Sequence, residues 1–272
     1  MALVTGAASG LGRAVALGLA RLGAAVGAAD VDAEGSRHTV ESAVAAGGEA
    51  LALAVDVARR AEVEAAVGAT LQRYGRLDAL VNCAGILGGG AALDLTEEQL
   101  QRVLDVNLKG TFLACQAAGR AMAEGGGGAI VNFASTAALF GQPNSAAYSL
   151  SKAGVIQLTR TLAVEWGPRG VRVNCVAPGV FVTSMHLRVK ARRPAFFARF
   201  LAGTPLGRFG EPEEIVGTVA YLLSPASSLV TGQIIAIDGG YTAGGFSAGA
   251  DLPRRRSDAS VALTAAAFGV KV

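Results

Sequence analysis

Ser135, Tyr148 and Lys152 have side chains that can exchange or orient a proton, and their spacing places two of them together. Tyr148 and Lys152 are four residues apart and follow Ser135 by thirteen and seventeen positions. If residues 146–166 form a helix, Tyr148 and Lys152 lie on one face, one turn apart. A phenol has a pKa of about 10 in water, and a neighbouring ammonium lowers it by favouring the phenolate. The spacing therefore predicts a tyrosine that acts as a general acid or base.

These side chains also have plainer interpretations. A tyrosine and a lysine at helical spacing are often an ordinary surface pair. Ser135 is followed by a second hydroxyl residue, Thr136, and Asn107, a further polar candidate, could simply bond a backbone carbonyl within a helix. The proton-transfer interpretation depends on whether the rest of the chain provides a binding site for a cofactor that could take part in such a reaction.

A glycine-rich turn at the start of the chain supplies such a partner. The sequence TGAASGLG at residues 5–12 joins a short apolar strand to a helical pattern at 11–22. Gly6 allows a tight turn, Gly10 lets the backbone approach a pyrophosphate, and Gly12 permits close packing of the helix on the sheet. The helix N-terminus offers free N–H groups to the anion. In a chain with 37 glycines the triplet alone is weak evidence, so the prediction of a dinucleotide site also needs an acidic residue after the next strand.

Asp30 stands where that acidic residue is needed. It closes a predicted strand at 24–29, eighteen residues after Gly12. An acid at this place accepts hydrogen bonds from the adenosine ribose hydroxyls and repels a 2′-phosphate. Because Val31 follows it and no Lys or Arg lies in the turn before Gly10, the pattern favours NAD(H) over NADP(H). The alternative is that Asp30 only caps the following helix.

Size and composition indicate one globular domain in the cytoplasm. The chain has 272 residues, of which 51% are hydrophobic and 17% charged, enough for a large core. Its net charge of +3 is small and scattered, which argues against a nucleic-acid partner. Cys83, Cys115 and Cys175 are widely separated, as expected of reduced thiols. The two histidines have no acidic cluster beside them, so no metal site is predicted, and no membrane span is predicted, since no glycine-free apolar run reaches about 18 residues.

Apolar runs alternate with helical patterns almost to the end of the chain. The candidate strands are 2–5, 24–29, 50–55, 78–82, 129–133, 171–176 and 233–237. The alternation predicts an α/β fold, a single-domain Rossmann-type doubly wound parallel sheet of about seven strands with helices on both faces. The catalytic domain is predicted to span 1–243, with a candidate substrate lid at 183–210. Residues 244–272 are rich in Gly, Ala and Ser and are predicted to form a flexible C-terminal tail.

Taken in order, these motifs resemble the short-chain dehydrogenase/reductase family. The matching segments are 5–12, Asp56-Val57, 82–85, Asn107, Ser135, 148–152 and Pro178-Gly179 followed by Thr183. The resemblance implies an NAD(H)-dependent oxidoreductase that interconverts a secondary alcohol and a ketone by hydride transfer, with Tyr148 as acid and base. Cys83 and Ala134 stand where the family often has Asn and Ser, and these departures concern packing rather than mechanism.

The resemblance also implies roles for individual residues. The catalytic group is Asn107, Ser135, Tyr148 and Lys152, with Asn107 holding a water that joins Lys152 to solvent. The cofactor-binding residues are Gly6, Ser9, Gly10, Leu11, Gly12, Asp30, Asp56, Val57, Asn82, Ala84, Gly85, Tyr148, Lys152, Pro178, Gly179 and Thr183. Among these, Asp56 and Val57 are expected at the adenine. Asn82 and Gly85 are expected to line the adenosine side and brace the sheet, and residues 178–183 are expected to flank the nicotinamide carboxamide.

The substrate is expected to be a small molecule, but its class is less strongly indicated. Residues 185–200 mix five basic residues with three phenylalanines. They could close over an anionic or partly apolar substrate, or form an ordinary helix with the phenylalanines in the core. Residues 204–214 and 237–241 resemble family branches that act on sugars, sugar acids such as gluconate, and 3-oxoacyl thioesters. The first hypothesis is a sugar acid, polyol or related small hydroxy compound. The runner-up is a 3-oxoacyl-acyl-carrier-protein or CoA reductase, a role that usually goes with NADPH.

Two further expectations concern activity and assembly. A non-catalytic nucleotide-sensing protein of the same fold is less favoured, because it need not retain Ser135, Tyr148 and Lys152. The resemblance implies a homo-oligomer, a tetramer or a dimer, and the small residues along 146–163 are compatible with close helix packing.

Overall fold

One parallel sheet organises the structure, a computed structural model that describes residues 1–184, 187 and 194–244. Its seven strands are β1 (Ala2–Thr5), β2 (Val26–Asp30), β3 (Ala50–Ala54), β4 (Ala79–Asn82), β5 (Gly128–Phe133), β6 (Val171–Pro178) and β7 (Ile234–Ile237). Their order is β3-β2-β1-β4-β5-β6-β7, so the winding of the chain reverses between β1 and β4. In open parallel sheets, ligands bind at the carboxyl ends of the strands beside such a reversal.

Helices cover both faces of this sheet. They are α1 (Gly10–Arg21), α2 (Ala33–Ala45), α3 (Arg60–Tyr74), α4 (Glu97–Leu104), α5 (Gly110–Glu124), α6 (Ala146–Trp166), α7 (Pro194–Ala202) and α8 (Val216–Leu223). Successive residues of β4 point to opposite faces: Val81 is buried in the core under α1 and α8, and Leu80 in the core under α3 and α5. Within the described part of the chain, no helix is both long enough and apolar enough to cross a membrane.

The seven predicted strands and the doubly wound parallel sheet are confirmed, with small shifts at strand ends. β2 begins two residues later than predicted, because Gly23 takes φ 89° in the turn after α1. β6 continues to Pro178, which pairs with Ile237 of β7. A 3-10 turn, Pro212–Ile215, leads directly into α8.

The structure describes only part of the candidate lid and of the predicted tail. Helix α7 lies within residues 183–210, and its phenylalanines Phe197 and Phe200 are buried. Residues 185, 186 and 188–193 of the lid lie outside the described residues, as do residues 245–272 of the tail. The boundaries at 183–210 and 243 therefore remain predictions.

Two glycines at α3 offer a matched test of backbone conformation. Gly68 lies inside the helix and Gly75 ends it at φ 72°, and a Cβ added at either position would meet no atom within 4 Å. We expect Gly68→Ala to raise the free energy of unfolding by about 1 kcal/mol, because alanine loses less backbone entropy in a helix. Gly75→Ala should lower it by about 1 kcal/mol, because the left-handed region is unfavourable for a residue with a Cβ. Urea unfolding measures both changes, and shifts of the same sign would contradict this explanation.

Candidate active site

A cavity of about 1060 Å³ opens at the carboxyl ends of the strands. It lies where the winding reverses, since residues that follow β1 and β4 form part of its wall. The predicted site residues that line it are Gly6, Ser9, Gly10, Leu11, Gly12, Asp30, Asp56, Val57, Ala84, Gly85, Ser135, Tyr148, Lys152, Pro178, Gly179 and Thr183. The fold therefore brings the glycine turn and the proposed proton-transfer residues into one space.

The glycine turn is packed so closely that side chains would not fit. Gly6 takes φ 70°, and a Cβ there would lie 2.7 Å from the backbone nitrogen of Ala84. A Cβ on Gly12 would lie 2.0 Å from the carbonyl oxygen of Gly6. The same Cβ would lie 3.2 Å from Cβ of Cys83, just after β4, so the helix at Gly12 lies close both to its own turn and, as predicted, to the sheet. Gly10 lies next to Thr183 in the cavity wall, since a Cβ on Gly10 would be in van der Waals contact with Cγ2 of Thr183 at 3.6 Å.

Asp30 is held against this turn by backbone groups. Its Oδ2 accepts a hydrogen bond from the N–H of Ala8 at 2.9 Å, and its Oδ1 accepts one from the N–H of Asp32 at 3.0 Å. Asp32, not Asp30, is the N-cap of α2, with its Oδ1 accepting from the N–H of Gly35 at 3.0 Å. The helix-capping alternative for Asp30 is therefore wrong. Each carboxylate oxygen keeps a second lone pair with which it can accept a further hydrogen bond.

Asp56 and Val57 form another part of the wall, just after β3. The Asp56 carboxylate accepts a hydrogen bond from the N–H of Ala58 at 2.9 Å, and the Asp56 N–H donates to Glu62 at 2.8 Å. Val57 packs against the start of α5, where a Cβ on Gly110 would lie 2.8 Å from its Cγ2. Both residues are fixed by their own turn and lie on the cavity wall that also includes Asp30.

Ser135 and Tyr148 meet in the cavity wall. Ser135 follows β5 and caps a short 3-10 turn, where its Oγ accepts a hydrogen bond from the N–H of Ala137 at 3.2 Å. Desolvation raises the pKa of Tyr148 above its ordinary value, and a hydrogen bond with Ser135 acts in the opposite direction. The prediction of a lowered pKa for Tyr148 is therefore wrong when only groups of the protein act on it. The cost of burying the phenolate outweighs the hydrogen bond that favours it.

Lys152 lies one turn after Tyr148 in α6, as predicted, and is buried to 4% exposure. Its Nζ donates a hydrogen bond to the carbonyl oxygen of Phe133 at 2.7 Å and lies 5.9 Å from the centroid of the Tyr148 ring. Burial lowers the pKa of Lys152 to about 8, with the nearby thiols of Cys175 and Cys83 acting in the opposite direction. The lysine is therefore held at the end of β5 and, with a pKa of about 8, is mostly protonated at neutral pH.

Asn107 supports the site from behind the cavity wall. It lies in a π-helical turn, Asp105–Lys109, between α4 and α5, and such turns often occur at functional sites. Its Oδ1 accepts from the N–H of Ile86 at 2.8 Å, and its Nδ2 donates to the Ile86 carbonyl and to Ser151, each at 3.0 Å. A Cβ on Gly85 would lie 3.3 Å from Oδ1 of Asn107 and 3.4 Å from Nζ of Lys152. Asn107 and Lys152 therefore lie on the same side of Gly85.

Comparison with known proteins decides the family. A family model described as enoyl-(acyl carrier protein) reductase matches residues 6–242. The chain is 42% identical to D-threitol dehydrogenase of Mycolicibacterium smegmatis over 243 residues, which are 89% of this chain and 92% of that protein. The chain belongs to the short-chain dehydrogenase/reductase family. It is an oxidoreductase that acts on CH–OH groups and binds NAD(P).

Other members of the short-chain dehydrogenase/reductase family match as well. The 3-oxoacyl-[acyl-carrier-protein] reductase FabG of Thermotoga maritima is 42% identical over 240 residues, covering 88% of this chain and 96% of that protein. A solved structure of 7α-hydroxysteroid dehydrogenase with NADH and 7-oxo glycochenodeoxycholic acid is 33% identical with a TM-score of 0.84, covering 88% of this chain and 92% of that one. Another similar structure, from Beutenbergia cavernae, is 40% identical with a TM-score of 0.84 over 89% of this chain and 96% of that one, and holds NADP at low occupancy.

The described residues of this short-chain dehydrogenase/reductase fit a dinucleotide. The glycine turn has no room for a Cβ at Gly6 or Gly12, so the backbone itself forms the cavity wall there. Ser9, at the N-terminus of α1, makes no capping hydrogen bond with its side chain, and the first turn of a helix presents unpaired N–H groups that suit a phosphate. The Asp30 carboxylate lies against the same turn.

Asn82 was predicted to line the adenosine side of the cavity, but it is not among the residues of the cavity wall. Its Nδ2 donates to Oδ1 of Asn132 at 2.9 Å and to the thiol of Cys115 at 3.3 Å, and Asn132 in turn donates to Thr159 at 3.0 Å. This buried network links β4 and β5 to α6. Asn82 therefore braces the sheet, as predicted, but not the adenosine side of the cavity, because its side chain points between the strands and helices.

Sequence reasoning missed one wall of the cavity in this short-chain dehydrogenase/reductase. Polar residues of α4 and the turn after it, together with Gln142, also line the cavity: Glu97, Glu98, Gln101, Arg102 and Asp105. A capping box between Thr96 and Gln99 marks the start of α4, and its sequence pattern could have located that helix. No local signal shows that the face of α4 borders a cavity, because that depends on how α4 packs.

Proposed function

We propose that the protein is an NAD(H)-dependent dehydrogenase of a secondary alcohol in a sugar acid, polyol or related small hydroxy compound. The observation that carries the proposal is that Ser135, Tyr148 and Lys152 line the same cavity as the glycine turn and Asp30. The similarity to a D-threitol dehydrogenase supports the polyol class. The dinucleotide, when bound, supplies the hydride acceptor or donor.

The side chains of the site have separable tasks in this proposal. Ser135 orients the substrate oxygen toward the Tyr148 hydroxyl, since both residues line the same cavity. Tyr148 accepts the alcohol proton during oxidation and returns a proton during reduction. Lys152, fixed on the Phe133 carbonyl, provides a cation that favours the phenolate. Asn107 is a positioning residue that anchors Ile86 and Ser151 and, in the family role, holds a water next to Lys152.

The remaining cavity residues are proposed to bind the dinucleotide. Gly6, Ser9, Gly10, Leu11 and Gly12 hold the pyrophosphate at the N-terminus of α1. Asp56, Val57, Ala84 and Gly85 line the adenosine side, and Pro178, Gly179 and Thr183 lie at the nicotinamide. Asp30 accepts hydrogen bonds from the adenosine ribose, which favours NAD over NADP because its charge repels a 2′-phosphate.

A 3-oxoacyl-acyl-carrier-protein or CoA reductase is the second candidate function. It is favoured by one observation, the 42% identity to such a reductase over 88% of this chain. The two candidates share their proton-transfer chemistry and differ in substrate and cofactor, so Asp30 is the residue that distinguishes them.

The proposal is tested by NADH formation from NAD⁺ with purified protein on polyols, sugar acids and 3-hydroxyacyl thioesters, with NADP⁺ in parallel. We expect turnover of a polyol or sugar acid with NAD⁺. Turnover confined to the thioesters, especially with NADP⁺, would support the second candidate and overturn the argument from Asp30.

We also propose that the enzyme works in the cytoplasm as a homo-oligomer, a tetramer or a dimer. Its three cysteines are free, which suits a reducing compartment. Leu150 and Val164 of α6 are 55% and 79% exposed, and such apolar side chains on one helix suit an interface between copies. Light scattering is expected to give a multiple of the 27.3 kDa chain, and a monomeric mass at assay concentration would contradict this proposal.

A further inference from the structure

Three phenylalanines of α7 form one wall of the active-site cavity. Phe196, Phe197 and Phe200 line it, with Phe197 and Phe200 buried and Phe196 half-buried. The Phe196 ring meets Phe197 edge-on at 5.2 Å between centroids and lies 6.1 Å from Phe200. Phe196 is therefore the member of this group with exposed ring surface to offer a ligand.

The wall is fixed to the loop that carries Ser135. Phe200 stacks on Tyr241 at 3.9 Å with an interplanar angle of 9°. Tyr241 also contacts Phe140, five residues after Ser135, at 5.4 Å. The Tyr241 turn is itself held by Asp238, whose Oδ2 accepts hydrogen bonds from the N–H and the hydroxyl of Thr242 at 2.8 and 2.6 Å. The position of Phe196 relative to Ser135 is thus set by packed aromatic rings.

Charge is placed elsewhere in the cavity. In the described part of the chain, the charged residues that line it are Asp30, Asp56, Glu97, Glu98, Arg102, Asp105 and Lys152. The wall formed by α7 and by Val180 and Phe181 after β6 contributes apolar side chains. Among the described residues, a substrate that reaches Ser135 and Tyr148 therefore meets the aromatic surface of α7 on that side.

We infer that Phe196 selects substrates by contact with an apolar segment of several carbons next to the reacting carbon. This rests on the proposed dehydrogenase function and narrows its substrates: a small hydroxy compound with a run of carbons that lack hydroxyl groups is favoured over a fully hydroxylated polyol or sugar acid. Burial of each added methylene against the ring is worth about 0.8 kcal/mol, which is about fourfold in kcat/KM for each methylene. Phe196 selects the substrate without taking part in proton transfer.

The test uses methyl ketones of increasing length, from butanone to 2-heptanone, with the full chain and NADH. Wild type is expected to gain about fourfold in kcat/KM for each methylene. Phe196→Ala should lose most of that gain, and Phe196→Leu, which restores apolar volume, should recover much of it. Phe209→Ala is the matched control, since Phe209 meets Phe197 edge-on at 6.1 Å but does not line the main cavity. Phe209→Ala should therefore keep the gain, and thermal melts establish that each variant folds.

Each outcome decides the inference. A wild-type rate that does not change with length, or no turnover of any ketone in the series, overturns it. An equal loss in Phe209→Ala also overturns it, because the effect would then come from packing of the cluster rather than from contact with Phe196. The proposed function is judged separately by NADH formation from polyols and sugar acids that disappears in Tyr148→Phe. Failure with the ketones alone therefore leaves that proposal standing, whereas failure of both assays removes both.

Discussion

Replacing Tyr148 by phenylalanine is expected to lower kcat for alcohol oxidation by about 10²- to 10⁴-fold, the usual worth of a positioned general base. The variant loses only the Tyr148 hydroxyl, in a residue that lines the cavity with Ser135. Lys152 keeps its 2.7 Å bond to the Phe133 carbonyl, so the cavity and the dinucleotide affinity should be little changed. Steady-state kinetics and calorimetric titration with NAD⁺ measure the two effects separately.

Tyr221→Phe is the matched control for that experiment. Tyr221 lies on α8 with 41% of its surface exposed, and it does not line the cavity. It should retain the wild-type rate. A Tyr148→Phe enzyme within about tenfold of wild type would contradict the assignment of Tyr148, since a general base contributes about 10² or more. Loss of NAD⁺ binding together with activity would instead indicate a structural role.

The same tyrosine predicts opposite pH profiles for the two directions. Desolvation raises the pKa of Tyr148, so at neutral pH the phenol is protonated, the form needed for ketone reduction and not for alcohol oxidation. Oxidation should therefore speed up as pH rises, whereas reduction should stay level and then fall. The ammonium of Lys152 is lost as the pH rises through about 8, since its pKa is about 8, and the rise in oxidation should become shallower around that pH. Residual oxidation by Tyr148→Phe should lack this rise.

The fold could be predicted from the sequence because the strands are buried on both faces. Such strands read as short apolar runs between helical patterns, and β4 and β5 were found in this way. The ends of the strands are harder to predict from residue type alone. Pro178 extends β6 by pairing with Ile237, although proline is disfavoured inside most strands.

The placement of Tyr148 and Lys152, one turn apart in α6 and both on the cavity wall, could be predicted from their spacing. Properties of the site that depend on the residues packed around a side chain could not be predicted from the sequence. The raised pKa of Tyr148 follows from burial, and the place of Asn82 follows from its partners across the sheet. For the phenylalanines of α7, the sequence is compatible with both a core helix and a substrate lid. Both interpretations are partly right, since Phe200 is buried and also lines the cavity.

Asp30→Asn is expected to lower kcat/KM for NAD⁺ by about 10- to 100-fold, because a hydrogen bond to a charged group is worth about 1.5–3 kcal/mol. Asparagine has nearly the same shape and can still accept one of the two backbone hydrogen bonds, from Ala8 or Asp32. What it removes is the negative charge that repels a 2′-phosphate. Activity with NADP⁺ should therefore fall less than activity with NAD⁺, or rise, and the preference for NAD⁺ should narrow.

Asp32→Asn separates this effect from the stability of the neighbouring helix. Asp32 carries the same charge two residues further on, but its carboxylate caps α2 through the N–H of Gly35, and asparagine is an equally good cap. It does not line the cavity, whereas Asp30 does. Asp32→Asn should therefore leave both cofactor activities near wild type. An equal change in the preference for NAD⁺ over NADP⁺ in the two variants would mean that this preference depends on the total negative charge after β2. A wild-type enzyme that prefers NADP⁺ would show that one carboxylate beside the glycine turn is not enough to exclude the phosphate.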